Sequence, residues 1–119
     1  MDARRRLGQD GEKLALEYLV GLGMKLLARN YRCRLGELDL ILADKGQIVF
    51  VEVRTKTSDS YGSGLESITM RKITKLRVLA MYYLADKHLT QDASIRFDIV
   101  AIHKPHLGQV KLEHLKAAF

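Results

Sequence analysis

Two apolar runs, Glu37-Leu38-Asp39-Leu40-Ile41-Leu42 and Gln47-Ile48-Val49-Phe50-Val51-Glu52-Val53-Arg54, are joined across Asp44-Lys45-Gly46. Short apolar runs rich in β-branched residues favour strands, and a turn of that composition folds the chain back on itself, so the pair reads as a β-hairpin. The stretch from Met24 to Cys33 is extended in the same way, which implies a three-strand antiparallel meander. The meander is rich in β-branched residues, especially Ile48, Val49, Val51 and Val53, and is expected to be central in the sheet.

Helical periodicity flanks the meander. Leu14, Ala15, Tyr18, Leu19 and Leu22 form one stripe that ends before Gly23, with Asp10 placed to cap its start and Glu12 at the stripe's edge. After a loop containing Tyr61-Gly62-Ser63-Gly64, a second helix is expected from about Glu66 to Leu84, with Ile73, Leu76, Leu79, Ala80, Tyr83 and Leu84 on one face. Ile95 to Ile102 reads as another strand. A turn around Lys104 to Gly108 and a short strand from Gln109 to Leu112 complete an αβββαββ order. A strand that returns after a crossover helix can lie parallel, so the expected architecture is α/β, a mixed central sheet flanked by helices.

At 119 residues the chain is expected to be a single domain, with residues 1–7 as a flexible basic arm. Cys33 is the one cysteine, which excludes an intramolecular disulfide or a cysteine-rich zinc site and fits the cytoplasm. No apolar run approaches the ~20 residues of a membrane-spanning helix. Glycine-rich phosphate loops, a serine nucleophile elbow and a dinucleotide fingerprint are absent. His103 and His106 flank a proline turn with no third ligand beside them, and read as surface residues. Twenty basic against fourteen acidic residues give a net charge of +6, which suits a polyanionic partner without choosing one.

Glu37 and Asp39 are two apart and share a strand face, as do Glu52 and Arg54 on the next strand. On the pattern alone two readings stay open. The face is solvated and its charges pair across strands, or the carboxylates gather around a divalent cation that relieves their repulsion, Mg2+ or Mn2+ being favoured by hard oxygen ligands.

Gly36-Glu37-Leu38-Asp39-Leu40 followed by Val49-Phe50-Val51-Glu52-Val53-Arg54 resembles the "GE-hydrophobic-D … VFVEVK" signature of the YraN-like proteins, within the restriction-endonuclease-like PD-(D/E)xK nuclease superfamily. Gly11-Glu12, Ala28-Arg29-Asn30-Tyr31-Arg32, Arg71-Lys72 and Arg96-Phe97-Asp98 resemble family positions in the same order, so the resemblance spans nearly the whole chain. It implies that Asp39 and Glu52 bind a catalytic metal, that Glu12 reaches it from the first helix, that Glu37 either supports those ligands from behind or binds a second metal, and that the Val53 carbonyl completes the coordination. Arg54 stands where the motif has lysine. Arginine keeps its proton and cannot act as a general base, though it can brace charge on a phosphate; Lys56, on the same face, is the alternative basic group.

Arg71, Lys72 and Lys75 on the second helix, with Arg4, Arg5 and Arg6 at the amino terminus, are candidate phosphate contacts, and Tyr61 is placed to stack on a base. Asp98 is placed either to orient the site or to pair with Arg96 or Arg54. The expected function is a metal-dependent endonuclease acting on nucleic acid, DNA before RNA, including branched DNA. The alternatives are a nucleic-acid-binding module that keeps the fold without cutting, and a homodimeric interaction scaffold.

Overall fold

The computed structural model describes residues 3–57, 68–89, 93–105 and 107–119. Its elements are α1 (Ala3–Gly21), β1 (Lys25–Cys33), β2 (Gly36–Asp44), β3 (Gln47–Lys56), α2 (Met70–Asp86), β4 (Ile95–His103) and β5 (Lys111–Leu115). This is the expected αβββαββ order, and the strands form a five-stranded sheet arranged β1-β2-β3-β4-β5. β3 and β4 run parallel, because α2 carries the chain back to the end from which β3 started. The other neighbours are antiparallel. The meander is therefore not central as a whole: its β-branched strand β3 is the middle strand, while β1 forms an edge.

Asp44 pairs with Gln47, which leaves Lys45 and Gly46 as a two-residue turn with φ of 50° and 84°. Positive φ at both positions matches the twist of the paired strands, and Gly46 takes it without a steric penalty. Each face of the sheet is covered by one helix. Ala15 and Leu19 of α1 pack with Leu40, Leu42, Val49, Val51, Val100 and Ile102. On the other face, α2 covers Leu38, Ile41, Phe50 and Phe97, and all six residues of its expected apolar stripe are buried.

Several boundaries differ from the sequence expectation. α1 starts at Ala3, so Asp10 lies inside the helix rather than capping it, and residues 3–7 form helical turns rather than an arm. Arginine is a good helix former, so the basic run extends the helix; Asp10 instead faces Lys104, 3.8 Å away. Leu22 is 51% exposed, because α1 closes at Gly21 and Met24, only 4% exposed, takes the core position. α2 begins at Met70, where the Thr69 side chain accepts from Lys72 N–H at 3.1 Å; Glu66 lies outside the described residues. β5 runs from Lys111 to Leu115 rather than Gln109 to Leu112, with Leu112 and His114 the more buried positions. A polar residue facing inward hid that alternation. Among the described residues no helix is long and apolar enough to cross a membrane.

Candidate metal centre

β2 and β3 pair from their hairpin only as far as Leu40 opposite Val51, although both strands continue. Beyond that point the Val53 N–H donates to Asp39 Oδ2 at 2.9 Å, a side chain taking the place of a neighbouring carbonyl. Each strand keeps its outer partner: Arg32 remains opposite Glu37, and Arg54 opposite Ala101. The sheet opens between β2 and β3 at this end.

The alternation of faces resets at the same level. Leu38 and Ile41 both pack towards α2, whereas Leu40 and Leu42 pack towards α1, so the period of two breaks at Asp39. β1 resets opposite it. Ala28 and Tyr31 both lie on the α2 side, and between them Asn30 adopts the left-handed region at φ 50°.

α1 closes over this opening because Gly11 lies against Thr55 of β3; a side chain at Gly11 would run into Thr55 Oγ1. The next residue, Glu12, is thereby brought to the strands. Carboxylate oxygens of Glu12, Glu37 and Asp39 all lie within 4.8 Å of one another. Asn30 sits beside them: with its amide oriented by its partners, its nitrogen donates to Glu12 Oε2 at 3.0 Å and Glu37 Oε1 at 2.7 Å. Arg32 Nε donates to Glu37 Oε2 at 3.1 Å. Arg5, Gln9, Glu12, Asn30, Arg32 and Glu37 line an open cleft of about 220 Å³ that connects the cluster to solvent.

Residues 11–102 match the model of "Uncharacterised protein family UPF0102". The chain belongs to UPF0102. A UPF0102 protein of Pelotomaculum thermopropionicum is 49% identical over 119 residues, covering 99% of this chain and 98% of the relative. The UPF0102 proteins of Moorella thermoacetica, 45% identical over 98% of this chain and 97% of the relative, and Frankia alni, 43% identical over all of this chain and 98% of the relative, are also similar. This is the family to which the YraN-like motifs pointed.

In this UPF0102 chain the cluster carries the electrostatic signature of crowded carboxylates. Burial, then the nearby Glu52 charge, pushes Asp39 up to about 7, with Glu12 and Glu37 adding to the effect and the Val53 N–H opposing it. Glu12 is also raised, by burial first and Glu37 second, against the pull of Arg29 and the Asn30 hydrogen bond. Two like charges 4 Å apart repel by about 4 kcal/mol at an effective dielectric constant of about 20, so the trio favours a proton or a cation between its members. The donors are all carboxylate oxygens, a set that fits Mg2+ or Mn2+.

The other expected site residues are placed as follows. Glu52 acts on Asp39 through its charge but stands outside the trio, with Oε1 3.6 Å from Lys72 Nζ of α2. Lys72, expected at a phosphate, instead makes that pair. Val53 enters the cluster through its N–H. β3 does extend through Lys56, so alternation places Glu52, Arg54 and Lys56 on one side of the strand. Arg71 and Lys75 are exposed on α2, and Arg5 and Arg6 are exposed on α1. Tyr61 and the Arg4 side chain lie outside the described residues.

Asp98 does not join the cluster. Fully buried, it takes Arg96 Nε at 2.9 Å and Nη2 at 3.1 Å, His114 Nε2 at 2.8 Å and the Ala117 N–H at 3.0 Å. Burial alone would raise its pKa, but the Arg96, Ala117 and His114 bonds outweigh burial and hold it low. His114 Nδ1 lies 3.2 Å from Tyr18 OH of α1, so the network ties β4, β5 and α1 together. Sequence reasoning missed His114, and it named Asn30 only within a stretch resembling family positions, without a role. An asparagine inside an otherwise extended run, a residue poor in strands and tolerant of positive φ, was the available signal for Asn30.

Proposed function

We propose that this UPF0102 domain is a Mg2+- or Mn2+-dependent, endonuclease-like phosphodiesterase acting on nucleic acid, DNA in preference to RNA, with branched DNA among its substrates. The observation that carries this reading is the convergence of Glu12, Glu37 and Asp39 from α1 and β2 at an opened sheet end, their oxygens within 4.8 Å. These three residues would hold the cation. The chemistry such an ion would supply there is Lewis-acid activation of the phosphodiester and of water.

The chain's own groups supply the rest. Val53 N–H keeps Asp39 in place before any ligand arrives. Arg5 and Arg32 line the cleft beside the carboxylates and attract the phosphate backbone, while Arg71 and Lys75 hold it further along without reading its sequence. Arg54 and Lys56, the basic groups that follow Glu52 on β3, would steady negative charge building on the phosphate. Two strands of a duplex require two such centres, which a homodimer would provide.

A second reading is favoured by Arg54 in the lysine position and by the Glu52–Lys72 pair: a binding module that holds nucleic acid and does not cut. Cleavage of labelled single-stranded, duplex, flap and four-way-junction DNA and RNA, with Mg2+ or Mn2+, separates the two. Metal-dependent cutting by the wild type that is lost in Asp39→Asn supports the enzyme. Salt-sensitive binding without cutting supports the module, and neither activity would overturn both.

A further inference from the structure

We propose that Asn30 is the positioning residue of the acidic centre, its single amide holding Glu12 of α1 and Glu37 of β2 side by side as a ready pair of ligands. This rests on the metal-binding reading above. Both protons of the amide are used, one on Glu12 Oε2 at 3.0 Å and one on Glu37 Oε1 at 2.7 Å, so one neutral side chain on β1 ties together carboxylates from two other elements. Each carboxylate oxygen has two acceptor sites, so these bonds leave lone pairs for a cation.

The backbone gives up regularity to make this contact. Arg29 stays opposite Leu40 and Tyr31 opposite Leu38, yet Asn30 between them stands at φ 50°. A left-handed backbone is unfavourable for residues other than glycine, and asparagine tolerates it better than most. The turn of the backbone also resets the alternation, so Tyr31 returns to the α2 side while the Asn30 amide reaches the carboxylates on the α1 side. An amide suits the task chemically: a lysine would compete with the cation for the carboxylates, and an aspartate would add to their repulsion.

The test is Mn2+ affinity of the full chain, measured by calorimetry and by electron paramagnetic resonance, with circular dichroism of the metal-free protein confirming that each variant is folded. Asn30→Gly keeps the left-handed backbone and removes only the amide; Mn2+ affinity is expected to fall about 10- to 100-fold, as for lost partners of metal ligands elsewhere. Asn30→Asp, nearly the same shape and tolerant of the same φ, keeps the test open should the glycine variant fail to fold. It is expected to bind more weakly than wild type although it adds a carboxylate. Wild-type affinity in folded Asn30→Gly, with binding lost in Asp39→Asn, would overturn the role of Asn30 alone. Tighter binding by Asn30→Asp would overturn it too, since the number of carboxylates and not their placing would then set affinity. A wild-type protein that binds no Mn2+ would sink this role together with the metal-binding reading.

Discussion

Replacing Asp39 with asparagine removes one negative charge from the carboxylate trio and keeps an oxygen to accept from the Val53 N–H. The folded-state pKa of Asp39 is about 7 against an ordinary 3.8, raised first by burial and then by Glu52. At low pH the folded and unfolded chains both hold the proton, and the group leaves stability unchanged. As pH rises from 3.8 towards 7 the unfolded chain loses a proton that the folded chain retains, so stability falls, and above about 7 the full penalty stands. At about 1.4 kcal/mol per tenfold change, the difference between those two values amounts to about 4 kcal/mol. Asparagine stands in for the protonated acid, and the Val53 hydrogen bond is already contained in the raised value. Asp39→Asn should therefore be more stable than the metal-free wild type by about 4 kcal/mol at pH 8, with the advantage vanishing near pH 4. Urea unfolding in the presence of a chelator, at three pH values between 4.5 and 8, measures this directly. Saturating Mg2+ should then restore the wild type by about 2.7 kcal/mol at a hundredfold excess over its Kd, and leave the variant nearly unmoved. A stability difference equal at pH 4.5 and pH 8 would refute the claim that Asp39 is held in a crowded, partly buried acidic centre.

Two further substitutions probe how the fold builds the centre. Gly11→Ala places a methyl against Thr55 Oγ1 and lifts α1 from β3; urea unfolding should show a loss of about 1–3 kcal/mol, Mn2+ affinity should drop with it, and Thr55→Ala in the same chain should recover part of both. Asp98→Ala leaves Arg96 and His114 without their shared buried partner and should cost about 3–5 kcal/mol by the same measurement. Because that network lies outside the carboxylate trio, Mn2+ affinity of the folded protein should stay at the wild-type level.

What could be read from the chain alone is what local periodicity encodes. The β2–β3 hairpin followed from two apolar runs and a turn with a glycine at its second position, and the α2 stripe from Ile73 to Leu84 was legible because each of its residues faces the core at helical spacing. Glu37 and Asp39 were nameable because charges within apolar strands are conspicuous, and Glu12 because Gly11-Glu12 resembles a family position. Their meeting was not legible. It depends on α1 closing on Thr55 through Gly11, on β2 and β3 parting after Leu40 and Val51, and on one left-handed residue, Asn30, that resets the strand alternation. A pattern of period two assigns Glu52 the same standing as Asp39, whereas in the folded chain Glu52 turns to Lys72 and Asp39 to Val53. His114 was invisible for a related reason. Its burial is made favourable by Asp98 and Tyr18, distant in sequence, so the hydrophobicity of its own neighbours carries no trace of it. Periodicity records which side of an element faces the core, and only the register between elements decides which polar groups share a site.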